Sequence, residues 1–195
     1  MFVQVIEGRV TDADGLKRQL ERWMDELKPD ARGYLGSTGG LAGDRYIMCA
    51  RFESEEKARS NSDSDRQSAW WAETEKCLEG VSFTDYTKAE DYLAGGSDDA
   101  GFVQIMRGRV TDAERARAMM KEMEDQLPQV RPDVIGGYTA YSDDGDYTEV
   151  VYFTSEAEAR ENEAKSSPDE MREWMEIQAD EIRFIDLTEP MLDSK

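Results

Sequence analysis

The 195-residue sequence has no histidine, two cysteines, five prolines, and 24 basic residues against 44 acidic ones. Each shortage excludes something. Without imidazole there is no histidine haem ligand, no His-containing zinc site, no Ser-His-Asp or Cys-His nucleophile and no imidazole base. A net charge of −20 without Lys/Arg clusters offers no surface for counterion release from phosphates, so no nucleic-acid partner is expected. No apolar run approaches the ~20 residues of a membrane span, so no membrane partner is expected either. The start, Met1 to Glu7, lacks the basic and long apolar regions of a signal peptide. Cys49 and Cys77 lie outside CxxC spacing, and two buried, reduced thiols in a cytoplasmic protein are expected. No phosphate loop, dinucleotide fingerprint or nucleophile elbow occurs. The chemistry left is that of amides, carboxylates and aromatics.

What is present is a duplication. Phe2-Val3-Gln4-Val5-Ile6-Glu7-Gly8-Arg9-Val10-Thr11-Asp12-Ala13 recurs at Phe102–Ala113, with nine of twelve positions identical. Phe52–Asn61 matches Phe153–Asn162, and Phe83, Asp85 and Thr87 answer Phe184, Asp186 and Thr188. The boundaries follow: a first repeat over 1–93, a Gly/Ser/Asp-rich linker over 94–101, and a second repeat over 102–195. Residues 1–100 carry 13 basic and 21 acidic side chains, residues 101–195 carry 11 and 23, so neither half is a basic arm.

Each repeat reads as βαββαβ. Residues 2–10 alternate, with Phe2, Gln4, Ile6 and Gly8 on one face and Val3, Val5, Glu7 and Arg9 on the other. Thr11-Asp12-Ala13-Asp14 and the capping box Thr111…Glu114 start helices. Leu16, Leu20, Trp23 and Leu27 continue at helical spacing, answered by Ala116, Met119, Met123 and Leu127, and Pro29 and Pro128 stop them. Strands follow over Tyr34–Thr38 and Tyr46–Phe52, and over Ile135–Tyr141 and Tyr147–Phe153. Ser54 and Ser155 cap second helices that break near Ser62–Asp65 and at Ser166-Ser167-Pro168. Last strands cover 81–87 and 183–187. The fold class is α+β: two tandem ferredoxin-like βαββαβ repeats with antiparallel sheets, forming one α+β barrel within the chain.

With a β1 strand running into a capped helix and an aromatic-x-Ser-x-x-x-Ala-Arg entry to the second helix, the chain resembles the dimeric α+β barrel superfamily. Its best-known branch is antibiotic-biosynthesis-monooxygenase-like. The resemblance implies that two ferredoxin-like units join their sheets into a barrel, here fused into one polypeptide. It also implies relatives that are cofactor-free oxygenases of aromatic polyketides, haem-degrading enzymes and isomerases. Haem degraders of that kind use a His, a β1 Asn and a Trp. Here there is no His, and Ile6 and Met106 stand nearest that Asn. Many relatives carry His where Asn61 and Asn162 stand.

Seven residues are candidates for a ligand pocket. Asn61 and Asn162 share the inward helix stripe; each either pins the helix break or presents an amide to a ligand. Gln4 and Gln104 would point into the barrel if their β1 face lines it, holding either a ligand or each other. Trp70, Trp71 and Trp174 pack the core or wall a pocket, and the adjacent pair cannot both face inward. Arg9 and Arg109 should pair with Asp12 and Asp112 or with a second-helix Glu, the alternative being to bind a substrate anion. Between the halves, Glu7 against Arg107 and Met48 against Glu149 are the visible departures from symmetry. The expectation is a protein that binds a small neutral or aromatic molecule, as a monooxygenase-like enzyme without a cofactor. The alternative is an interaction or structural module whose barrel is filled by its own side chains. Either a monomer with an internal pseudo-dimer or a dimer of barrels fits the duplication.

Overall fold

The computed structural model describes residues 1–165, 168–187 and 190–194. In the first half β1 (Phe2–Val10), β2 (Tyr34–Ala42), β3 (Arg45–Phe52) and β4 (Leu78–Tyr86) alternate with α1 (Ala13–Arg22), α2 (Glu55–Ser62) and α3 (Asp65–Thr74). A fifth strand, β5 (Lys88–Leu93), precedes the linker. The second half repeats this with β6 (Phe102–Arg109), α4 (Ala113–Glu124), a short α5 (Leu127–Val130), β7 (Val134–Tyr141) and β8 (Asp146–Phe153). It closes with α6 (Glu156–Glu163), α7 (Pro168–Ile177), β9 (Arg183–Leu187) and β10 (Met191–Ser194). The second-half helix break at Ser166-Ser167 and the repeat position Thr188 lie outside the described residues.

Each half forms the expected antiparallel order β4-β1-β3-β2, or β9-β6-β8-β7. The strand pattern did not reveal β5 and β10, and they cross over. β5 pairs with β7 of the second half and β10 with β2 of the first, so each sheet is completed by its neighbour's last strand. Both edges are thereby covered by a strand whose own outer side is short.

The sheets pack face to face through Val3, Val5, Ile47, Cys49, Tyr86, Val103, Ile105, Tyr138, Val150, Tyr152 and Leu187. The helices cover the opposite faces, packing on Phe2, Tyr34 and Phe52 in one half and on Phe102, Val151 and Phe153 in the other. The odd-numbered β1 residues therefore line the barrel, and the face bearing Gln4 lies under the helices. At one barrel end Glu7 binds both Arg107 and Arg183, and Arg107 also donates to Thr148 Oγ1 at 3.0 Å and Tyr86 OH at 3.2 Å. At the other end the Thr38 hydroxyl meets Tyr152 OH, and Arg51 stacks 5.2 Å from the Tyr138 ring centroid. Cys49 and Cys77 are free thiols, both buried; burial pushes Cys49 up to about 12.

Local chemistry sets the helix starts. Asp12 and Asp112, not Thr11 and Thr111, provide the caps, their carboxylates accepting from Gly15 N at 2.8 Å and Arg115 N at 2.9 Å. Ser54 and Ser155 cap α2 and α6 as expected, and Ser64 recaps the chain at the break, entering α3. Met123 is exposed, and Met120 takes its inward place on α4.

Candidate functional site

The Gln pair is placed differently from its expected position in the barrel. Gln4 Nε2 donates to Asp85 Oδ1 and Gln104 Nε2 to Asp186 Oδ1, each at 2.8 Å on the adjoining strand. Arg59 lies 3.7 Å from Asp85, and Arg160 pairs with Asp186 while stacking over Phe102. The same Gln–Asp–Arg bridge in both halves ties sheet to second helix, a role that needs no ligand. Arg9 and Arg109 also form ion pairs, but with the strand residues Glu79 and Asp146 in place of helix carboxylates, because β1 ends beside β4 and β8.

The tryptophans divide as the helix geometry requires. Trp70 is buried, donating its indole N–H to Gln19 O at 2.7 Å, while Trp71 is half-buried against Phe83. Trp23 meets Tyr34 edge-on at 4.9 Å, so the first helix–sheet layer is closed by three indoles. Trp174 packs edge-on against Tyr147 at 5.9 Å in the second half. Asn162 donates to Asp133 Oδ1 at 2.9 Å, whereas Asn61 lines a surface cleft of about 300 Å³ beside the α2–α3 break. The seven candidates thus belong to separate places.

A site not visible as a motif lies under α4 and α7, on the helix-facing side of the second sheet. One row of cross-strand neighbours there reads Glu90, Thr139, Glu149, Met106, Phe184. The matching row of the first sheet reads Met191, Gly39, Met48, Ile6, Phe83. The second half has replaced Met, Gly and Met with Glu, Thr and Glu, of which Thr139 and Glu149 are buried and Glu90 is exposed at the sheet edge.

Glu149 is 7% exposed, and burial raises its carboxyl to about 7 although the Tyr92 hydroxyl, donating at 3.0 Å, opposes that rise. Tyr92 comes from β5 and lies across Gly137, where a Cβ would fall 2.1 Å from its ring; only glycine admits it. Beside the carboxyl stand its cross-strand neighbour Thr139 and, diagonal to it, Tyr141, whose Oγ1 and OH are buried without a hydrogen-bond partner. Gln178 extends from the end of α7 toward Tyr147, whose hydroxyl burial pushes up to about 12. Unpartnered buried polar atoms cost ~1–3 kcal/mol each, so two hydroxyls beside a buried carboxyl make this the most polar spot under the second half's helices. Tyr141 feels both Glu149 and the charges of Arg117 and Glu90. Those two, with Glu114, Ala118 and Lys121, line an open depression of about 300 Å³ at the surface. The sequence signal for this site was the single break in the repeat at 48 against 149; Tyr92 and Tyr141 carried none. Among the described residues no cluster of three or more His, Cys, Asp or Glu forms a metal site, and no helix is long and apolar enough to cross a membrane.

No family model and no curated protein matches the sequence. Among solved structures, a protein assigned as a monooxygenase from Lactobacillus acidophilus superposes with a TM-score of 0.77 at 12% identity, covering 99% of this chain and 95% of its own. A second assigned monooxygenase, from Fusobacterium nucleatum, gives 0.77 at 10% identity over 100% and 94%. An anthrone oxidase-like protein gives 0.64 at 10% identity over 98% and 93%. Identities this low speak to fold alone, and the fold they establish is the one the duplication implied. The chain shares the α+β fold of these proteins, with two ferredoxin-like units fused in one polypeptide.

Proposed function

We propose that the second half binds a small aromatic molecule bearing an acidic proton, and that Glu149 accepts that proton in a monooxygenase-like reaction needing no cofactor. The observation that carries this reading is the buried Glu149 carboxyl beside the unpartnered Thr139 and Tyr141 hydroxyls, in the half whose counterpart is apolar. A carboxyl that titrates near neutrality is half ionised at working pH, where it serves best as a proton acceptor. Tyr141 OH, unpartnered and beside Glu149, would receive the oxygen on which the substrate's negative charge collects. The step balances with dioxygen as oxidant. A CH₂ made acidic by a neighbouring ketone gives its proton to Glu149 and its electron pair to O₂, and loss of water from the hydroperoxide leaves a second carbonyl. The likeness in fold to an anthrone oxidase-like protein suggests anthrone as the first probe.

Oxygen uptake with anthrone tests this directly. The expected result is a rate that rises through a midpoint near pH 7 and falls by about 10²-fold or more in Glu149→Gln. An unchanged rate in Glu149→Gln refutes the assignment of the base. The barrel itself is filled, which favours a second reading: a non-catalytic interaction or structural module. Native and denaturing mass spectra compared on freshly purified protein separate the two. A small molecule held only in the native spectrum supports binding, and a bare chain inert toward anthrone supports the module.

A further inference from the structure

The second helix of each half ends its first segment at a matching asparagine, and what stands beside that asparagine differs. In the second half it is Asp133, whose side chain is 1% exposed. Its carboxylate accepts from Asn162 Nδ2 at 2.9 Å and from both Nε and Nη2 of Arg131, at 3.1 and 2.8 Å. An amide and a bidentate guanidinium thus hold a carboxylate supplied by the chain itself.

Backbone hydrogen bonds fix the correspondence with the first half. Glu53 N donates to Gly33 O at 2.8 Å where Thr154 N donates to Asp133 O at 2.9 Å. Ser64 N donates to Asn61 O at 3.2 Å where Lys165 N donates to Asn162 O at 3.1 Å. Gly33 therefore stands in the place of Asp133, at a φ of +74° and with no carboxylate to offer. Asn61 makes no side-chain hydrogen bond among the described residues, and it faces the cleft of about 300 Å³. Arg32, Lys57 and Arg66 line the same cleft with Ser60, Ser64 and Gln67. Asp30 pairs with Arg66, but Arg32 and Lys57 have no ion-pair partner among the described residues. Two uncompensated cations and a free amide in one recess run against the −20 charge of the whole chain. At hydrogen-bond range such local charges outweigh a diffuse field that salt screens beyond ~8–10 Å.

We infer that the first-half cleft binds a small molecule through a carboxylate group, the external counterpart of Asp133. Asn61 donates the amide hydrogen bond and Arg32 and Lys57 supply the charge. This inference is independent of Glu149, which lies in the other half.

The full chain, labelled with nitrogen-15 and titrated with succinate at constant ionic strength, tests it. The Asn61 side-chain amide should move and saturate. So should the Trp23 indole, which donates to Gln67 Oε1 at 2.9 Å on the cleft wall. The Asn162 amide should stay still, its site being filled by Asp133. Asn61→Leu and the surface variant Arg32→Ala should each weaken succinate binding, the first by about tenfold, as expected for loss of a hydrogen bond to a charged group. Gly33→Asp should abolish saturation by restoring an internal carboxylate. Its Cβ would meet Lys57 Cβ and Cγ within 3 Å at a positive φ, a strained position, so unshifted Trp70 and Trp71 indole signals are required to confirm that each variant is folded. Absence of saturation at Asn61, or equal binding by wild type and all three variants, overturns the inference. Inorganic phosphate binding tenfold more tightly than succinate overturns the carboxylate assignment.

Discussion

The two halves share a backbone and differ in what they enclose. Beneath its helices the first half packs Met48 with the half-buried Ile6 and Leu41 behind Trp71, and the second buries Glu149 and Tyr141 near Trp174. At the helix breaks the contrast reverses: the second half is closed by Asp133, and the first is open around Asn61. In a dimer of identical units both faces would carry one sequence. Fusion lifts that constraint, so a residue can change on one side alone. Glu7 and Arg107 show it most plainly. They occupy equivalent β1 positions, and two identical units would have set Glu against Glu or Arg against Arg.

The largest effect should come from breaking that complementary pair. Glu7→Leu strands Arg107 in the barrel end and should destabilise the fold by about 3–5 kcal/mol, read as a lower urea midpoint. If Arg107→Glu with Glu7→Arg recovers most of the loss, the asymmetry is one of pairing alone. Next, Glu149→Gln should stabilise the protein at high pH. Because the folded carboxyl titrates near 7 against about 4.5 unfolded, the native state binds the extra proton between those values, and wild-type stability falls as pH rises through that window. The variant should gain up to about 3 kcal/mol above pH 7 and nothing below pH 4.5, so denaturation curves at pH 4 and pH 8 suffice. Asp133→Ala leaves Arg131 and Asn162 without their partner and should cost about 2 kcal/mol, whereas Gly33→Ala removes no partner and tests backbone strain at positive φ together with crowding against Lys57. Last, Arg9→Ala removes an exposed ion pair with Glu79 and should shift stability by less than about 0.5 kcal/mol. A larger loss there would mean that surface pairs matter more in this acidic chain than their exposure suggests.

Much of the architecture was legible because period-2 and period-3.6 patterns recur in both halves, and each copy confirms the other. The face of β1 was not. Phe2, Gln4 and Ile6 read as apolar as Val3 and Val5, since a strand between a helical layer and a second sheet is buried on both sides. Which face lines the barrel is therefore open in the sequence, and Gln4 and Gln104 lie on the other one, bridging to the second helix. β5 and β10 escaped because Lys88–Leu93 and Met191–Ser194 are short edge strands with charged residues and no alternation to read. The candidate site depended on Tyr92 and Tyr141, which come from two distant segments. Only the Met48-to-Glu149 break announced it, and a broken repeat marks a place without naming its neighbours.

The exchanged strands have a consequence for how the molecule opens. β5 cannot leave β7, nor β10 leave β2, without uncovering the edge of the opposite half. The halves are thus fastened like a pair of clasped hands, each finger closing over the other palm. Slow amide hydrogen exchange in β3 and β8 should report a single shared opening, and neither half has a private route to solvent.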